Sequence, residues 1–193
     1  MKSMMITDYS FYDQLLQIDI DLAREVRQKG CPYCGGVLHS ANFPRCSKGL
    51  PESFSKHKVV RFSFCCSADC CRRRVTPASV RFLGRKRYIS WIVLILSCQS
   101  KRVQRGSQDL QSPLRPSERT LARWRCWWQE SVPGTRFWKS AKGLIPSLSA
   151  ASDNCSELIR AFSALESCGR MIQLLRFIMP LSCAENGVNN HAI

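Results

Sequence analysis

Two cysteine clusters decide the fold: residues 31–36 read Cys-Pro-Tyr-Cys-Gly-Gly, and residues 64–71 read Phe-Cys-Cys-Ser-Ala-Asp-Cys-Cys. In the first cluster, the glycines permit the positive backbone angles of a tight knuckle, so both thiolates can face one ion. The second cluster begins at the end of segment 59–66, in which polar and apolar residues alternate, and this alternation predicts a short strand. We therefore predict a zinc ribbon that holds one structural Zn²⁺ ion on four thiolates and leaves no open coordination position.

The first pair of ligands is Cys31 and Cys34. A redox pair is the alternative, but the helical pattern of a thioredoxin-like unit does not follow it. For the second pair, the residues themselves leave four alternatives open, namely Cys65, Cys66, Cys70 and Cys71. The remaining cysteines stand alone, and we interpret each as a small buried hydrophobic residue: Cys46, Cys98, Cys126, Cys155, Cys168 and Cys183.

The composition restricts the compartment that we expect. The chain has 193 residues, of which 45% are hydrophobic, and contains 12 cysteines. Residues 1–17 have no continuous apolar stretch, so we expect no signal peptide and a cytoplasmic location. Disulfides rarely persist in a reducing cytosol, which favours metal for the paired cysteines. The longest apolar run, 89–98, is far shorter than the roughly 20 residues that span a bilayer, so we expect no membrane segment.

The positive charge is concentrated in the middle of the chain. Residues 45–142 carry 22 Lys and Arg against 5 Asp and Glu, whereas each flank has one acidic residue in excess. Charge gathered in one region is expected for a nucleic-acid partner, and a solvated basic surface is the alternative. Two short basic runs belong to this region: Arg72, Arg73 and Arg74, and Arg85, Lys86 and Arg87.

The remaining patterns predict helices. Apolar spacings of three and four predict helices over 8–29 and 117–131 and two more within 153–180, separated near Gly169. Residues 85–97 predict a buried helix and 75–83 a short strand. The fold class is therefore α+β, mostly helical, with a zinc ribbon followed by a helix-turn-helix-like region.

We divide the chain into four parts. They are an N-terminal amphipathic helix (1–30), a zinc ribbon with basic loops (31–87), a basic helical region (88–142), and a C-terminal segment for helical packing or homodimerisation (143–193).

The predicted helix 117–131 has two different faces. Leu121, Trp124 and Trp128 share one face, while Arg119 and Arg123 lie one turn apart on the other. An aromatic face for the core and an arginine face for DNA are typical of a recognition helix. The alternative is a surface helix with solvated arginines, and residues 99–112 show no convincing partner helix.

Four segments carry a resemblance to known proteins: 31–36, 64–74, 76–85 and 119–128. In these segments the chain resembles a group of uncharacterised bacterial proteins, for which we expect an association with mobile elements. The resemblance runs from about residue 12 to residue 181, and the ribbon is similar to the zinc ribbons of some insertion-element transposases. In that group, a small residue other than cysteine stands at the position matching Cys70, which implies Cys66 and Cys71 as the second pair of ligands.

We read the chain as non-catalytic. It has no Ser/His/Asp set, glycine-rich phosphate loop or HExxH helix, and its nine acidic residues beyond the first helix are dispersed. The function that we expect is a zinc-ribbon protein that binds double-stranded DNA as an accessory or regulator of a mobile element, with a transposase or another protein as a further partner. The alternative is a zinc-stabilised adaptor that binds protein or RNA.

Overall fold

The computed structural model describes residues 9–49, 59–98, 116–149 and 153–183. The fold is α+β and mostly helical with small antiparallel sheets, which confirms the predicted class. Two hydrophobic cores organise these residues. A small core lies beneath the cysteine clusters, and a larger one is formed by helices.

The first helix, α1 (Tyr9–Lys29), contributes to both cores. Phe11, Tyr12 and Leu15 are buried in the helical core, whereas Ala23, two to three turns further on, is buried in the small core. The helix has the amphipathic pattern that the sequence predicts, because only one face meets protein.

The strands are short and belong to two sheets: β1 (Leu38–Ser40), β2 (Phe43–Pro44), β3 (Val60–Arg61), β4 (Phe64–Cys66) and β5 (Arg74–Val75). One sheet has the antiparallel order β1-β4-β5, with Leu38 opposite Cys66. The other pairs β2 with β3. The single strand predicted over 59–66 is therefore divided, because its two ends pair with different strands.

The strand predicted over 75–83 was too long. Of this range only Val75 lies in β5. Further along, backbone N–H groups donate hydrogen bonds to side chains instead of to a neighbouring strand. The Ser79 N–H donates to Ser182 Oγ at 2.9 Å, and the Val80 N–H donates to Asp19 Oδ1 at 2.8 Å.

Five helices build the larger core together with α1: α2 (Ser90–Cys98), α3 (Glu118–Cys126), α4 (Arg136–Leu144), α5 (Asn154–Ala161) and α6 (Cys168–Ile178). The centre is α2, which packs against α3, α5 and α6. It begins later than the predicted 85–97, because Tyr88 and Ile89 form isolated β-bridges with Lys48 and Phe82. A π-helical turn (Trp127–Ser131) and a 3₁₀ turn (Val132–Gly134) extend α3.

The break between the last two helices lies at residues 162–167, before the position predicted from Gly169. Ser163 has a positive φ of 48°. Ser167 caps α6 by accepting a hydrogen bond from the Arg170 N–H, which leaves Gly169 inside the first turn. Both helices contribute to the core that contains Trp128, and Asn154 Nδ2 donates to the Trp128 carbonyl at 3.3 Å.

The interpretation of the single cysteines as inert buried residues was wrong for most of them. Cys98 and Cys155 form a disulfide, because the end of α2 meets the first turn of α5 with the two Cα atoms 5.7 Å apart. Cys46, Cys126 and Cys183 are exposed. Sequence spacing could not show that two cysteines 57 positions apart would meet.

Across the described ranges, every helix is too short or too polar to cross a lipid bilayer.

Candidate functional site

Four cysteine sulfurs converge at the edge of the small core. The Sγ atoms of Cys31, Cys34, Cys66 and Cys71 all lie within 4.8 Å of one another. Cys31 Sγ is 3.7 Å from Cys71 Sγ, and Cys34 Sγ is 3.4 Å from Cys66 Sγ. A tetrahedral ion with metal–sulfur bonds of about 2.3 Å requires sulfurs about 3.8 Å apart. The four residues therefore have the spacing to hold one metal ion.

The first knuckle is closed by its own backbone. The Gly35 N–H donates to the Cys31 carbonyl at 2.8 Å, and the Cys31 N–H donates to the Gly36 carbonyl at 2.9 Å. Gly35 has a φ of +73°, a conformation that glycine adopts without strain. These bonds turn both cysteine side chains toward the same point.

The second knuckle depends on β4 and the turn after it. Side chains alternate along a strand, so Phe64 and Cys66 face the small core while Cys65 points the other way. The Cys65 thiol lies near the Arg72 carbonyl, at 3.6 Å. The Cys71 N–H donates to the Ala68 carbonyl at 2.9 Å, which turns Cys71 back toward the cluster.

The structure thus brings together the ligand set that the resemblance implied. Cys70 is exposed and Cys65 is partly buried, and neither belongs to the cluster.

The cysteine thiols of the cluster have different pKa values when no cation neutralises them. Burial raises the pKa of the Cys31 thiol, but hydrogen bonds from the backbone at Tyr33 and Cys34 outweigh it and lower the pKa to about 7. At Cys66, a backbone hydrogen bond at Ala68 lowers the pKa, whereas desolvation and the neighbouring thiols raise it to about 12. Several thiolates cannot crowd together unless a cation neutralises them.

A four-thiolate site can stabilise a fold but leaves no position at which a substrate or water could bind the ion. Cys31 and Cys66 are both part of the small core, so an ion bound there would link the two knuckles across this core.

The arginine run after the second knuckle has three different environments. Arg72 pairs with Asp69 and has a positive φ of 45°. The guanidinium of Arg73 lies 4.4 Å from the ring centre of Tyr33 and so joins the two knuckles. Arg74 is exposed on the edge strand β5.

A concave surface of about 720 Å³, which we call the basic groove, lies where the second basic run faces α3. None of its described lining residues is acidic, and they are Lys48, Arg85, Lys86, Arg87, Tyr88, Ser117, Thr120, Arg123, Trp124 and Trp127. Sequence analysis did not single out Lys48, since only the β-bridge between Lys48 and Tyr88 reveals its place.

The helix predicted over 117–131 is present, and its two faces differ as expected, whereas its role in DNA recognition stays a prediction. Ser117 caps α3, and Leu121, Trp124 and Trp128 are buried. Arg119 and Arg123 are both exposed, but only Arg123 lines the basic groove. The segment that would supply a preceding helix, 99–115, lies outside the described residues. Nineteen residues separate α2 from α3, more than the short turn of a helix-turn-helix unit.

A second concave surface, of about 450 Å³, contains four arginines among its described residues, of which sequence analysis singled out Arg74 and Arg85 but not Arg45 and Arg61. We call it the arginine pocket, and its described lining residues are Phe43, Arg45, Arg61, Arg74, Thr76, Gly84, Arg85 and Ser182. Arg85 lines both surfaces. The arginines come from four separate parts of the chain, so no local motif could have predicted the pocket.

No protein-family model, curated protein or solved structure matches the chain. The resemblance to mobile-element proteins therefore stays a prediction, and the function has to be argued from the residues.

Proposed function

We propose that the four-cysteine cluster binds one zinc ion and that the protein uses the zinc-stabilised scaffold to bind double-stranded DNA. The choice of zinc rests on four thiolate ligands at near-tetrahedral spacing, which zinc favours among the divalent ions. The zinc ion would have a structural role, with no part in a reaction.

The observation that carries the DNA proposal is the basic groove. Five of its described lining residues are lysine or arginine and none is acidic. Such a surface attracts a polyanion by releasing the counterions of its phosphates. The concentration of charge between residues 45 and 142 supports the same partner.

The aromatic residues of the basic groove favour duplex over single-stranded nucleic acid. Single strands are held by bases stacked on accessible rings. Tyr88 and Trp124 are only 6% and 5% exposed, so their faces are covered by protein. Trp127 is more accessible, but Lys86 Nζ lies 3.4 Å from its ring centre. The cations, unlike the rings, are placed to meet a partner, which favours contact with a phosphate backbone.

Binding of a fluorescent duplex, compared with single-stranded DNA and RNA of the same length, tests the proposal. We expect tighter binding to the duplex, with log affinity falling linearly with log salt. Arg87→Ala and Arg123→Ala should each lower the salt slope by about one unit. Arg170→Ala is the matched control, because this exposed arginine on α6 lines neither surface.

Two results would count against this function. Absence of duplex binding at moderate salt would leave the adaptor for protein or RNA as the better account. Equal effects of Arg87→Ala and Arg170→Ala would mean that the basic groove is not the contact surface.

We further propose that Arg119 reads sequence, because it is exposed one turn before Arg123 on α3. Arg119→Ala should then reduce discrimination between sequences by roughly 1 to 3 kcal/mol in a pool of genomic fragments. An unchanged preference would leave Arg119 as a solvated residue. The role in a mobile element rests on the sequence resemblance alone, and an adjacent transposase gene would support it.

A further inference from the structure

Arg61 is a buried cation without a matching carboxylate. It is only 4% exposed, and no described carboxylate forms an ion pair with it. Asp19 is the acidic residue whose charge acts on Arg61. Its carboxylate already accepts hydrogen bonds from Arg81 Nε at 2.7 Å and from Ser79 Oγ at 2.6 Å. Desolvation lowers the pKa of Arg61, and Asp19 and the Cys183 thiol oppose this effect. Burial of a charge is costly without a partner, and Asp19 is already paired with Arg81, so Arg61 has no described carboxylate of its own.

The surroundings of Arg61 increase the positive charge further. It lines the arginine pocket together with Arg45, Arg74 and Arg85. Arg45 is held in place, since its guanidinium donates to the carbonyls of Gly84 at 2.8 Å and Lys86 at 2.9 Å. A surface with four guanidinium groups and no acidic lining residue among those described is an arrangement that an anion would stabilise.

We propose that the arginine pocket binds a phosphate group, with Arg61 at its base and Arg74 at its rim. Guanidinium groups donate paired N–H bonds in a planar fork that matches the oxygens of phosphate. A phosphate carries more charge than a chloride or a single carboxylate and can therefore satisfy several arginines at once. The Ser182 and Thr76 hydroxyls also line the pocket.

The phosphate could belong to a nucleic-acid backbone or to a small phosphorylated molecule. Arg85 lines both the arginine pocket and the basic groove, so a backbone bound in the groove could continue into the pocket. Binding of the phosphate group does not depend on the proposed DNA function, because Arg61 has no described carboxylate of its own whatever occupies the basic groove.

Titration calorimetry with inorganic phosphate, in a phosphate-free buffer containing chloride at physiological ionic strength, tests the proposal on the full chain. We expect one phosphate per chain. Arg74→Gln, on the exposed edge strand, should weaken phosphate binding about tenfold or more, because it removes charge-assisted hydrogen bonds. Arg170→Gln, on α6, should change the affinity by less than about twofold. Arg74→Gln is preferred to a change at Arg61, because loss of a buried side chain can disturb folding.

A competition experiment between inorganic phosphate and duplex DNA distinguishes the two sources of the phosphate group. If inorganic phosphate competes with duplex DNA and Arg74→Gln weakens both, the site holds a backbone phosphate. If Arg74→Gln weakens phosphate alone, the ligand is a small phosphorylated molecule. Both results support the site.

Two results would overturn it. One is the absence of phosphate binding by the wild-type chain, and the other is equal weakening by Arg74→Gln and Arg170→Gln. Glu185 follows Cys183 by two positions in the sequence, and the Cys183 thiol acts on Arg61, so Glu185 is the carboxylate to test as an alternative counter-ion. Binding by Glu185→Gln but not by the wild type would therefore assign the pocket to the chain's own carboxylate and also overturn the proposal.

Discussion

Gly36 packs closely against two of the four cysteine sulfurs. A Cβ atom there would lie 3.1 Å from Cys66 Sγ and 3.3 Å from Cys34 Sγ. Gly36→Ala should displace these ligands and weaken metal binding by about tenfold, the lower end of the effects seen when residues around metal ligands are changed. Competition with a chromogenic chelator measures this affinity. Gly134→Ala is the control, because a Cβ at Gly134 meets no atom within 4 Å.

If Gly36→Ala leaves the metal affinity unchanged, the knuckle can accommodate a Cβ atom. The close packing of Gly36 on the sulfurs would then not contribute to metal binding.

The choice between Cys65 and Cys66 could have been predicted from the sequence by strand alternation alone. Phe64 is apolar and faces the core, so the residue two positions later, Cys66, must face the same way and Cys65 must not. The choice between Cys70 and Cys71 could not be made in this manner. It depends on the turn that follows Ala68 and on the positive φ of Arg72, which no general preference of arginine indicates.

At the scale of single elements, the extension of α3 shows what periodicity can and cannot predict. The spacing of Leu121, Trp124 and Trp128 correctly predicts a continuous helical segment with a buried face. It does not predict the π-helical turn at Trp127–Ser131, because the spacing of apolar residues does not distinguish one π-helical turn from a continued α-helix. Trp128 is fully buried, whereas Trp127 remains partly exposed beside Lys86.

The two tryptophans should therefore differ in their effect on stability. Trp128→Ala should lower the free energy of unfolding by about 3 to 5 kcal/mol, because it leaves a large cavity in the helical core. Trp127→Ala should lower it by roughly 1 to 2 kcal/mol. Denaturant unfolding followed by circular dichroism measures both values. If both variants lose the same free energy of unfolding, the buried Trp128 ring contributes no more to stability than the partly exposed Trp127 ring, and the prediction is wrong.

At the scale of the whole molecule, α1 connects the two cores. Its apolar residues contribute to both cores, and between them Asp19 accepts a hydrogen bond from the Val80 N–H, in the segment after β5. Sequence analysis found the amphipathic face of α1 but not the role of Asp19. The sequence does not show which residue pairs with an acidic residue on an apolar helix face. The partner of Asp19 is Arg81, which lies 62 positions away.

The ion pair between Asp19 and Arg81 is the connection most sensitive to change. Both side chains are buried, so Asp19→Ala would leave the Arg81 guanidinium without its carboxylate. We expect a loss of about 3 to 5 kcal/mol in the free energy of unfolding. The control is Asp21→Ala, because the pair of Asp21 with Arg24 is solvent-exposed and should contribute about 1 kcal/mol or less.

Thermal and denaturant unfolding of the two variants would decide this point. If Asp19→Ala is no worse than Asp21→Ala, α1 is held by its apolar contacts alone.

The account as a whole depends on the four-cysteine cluster being a metal centre, and the metal content of matched cysteine variants tests this directly. The wild-type chain and Cys70→Ser, purified without chelator and measured by native mass spectrometry, should each retain one zinc ion. Cys71→Ser should lose it, because only Cys71 of this adjacent pair reaches the other three sulfurs. Loss of the ion should also unfold the small core, since structural zinc contributes on the order of 10 kcal/mol to folding. A wild-type chain that folds without metal, or equal metal content in Cys70→Ser and Cys71→Ser, would contradict the account.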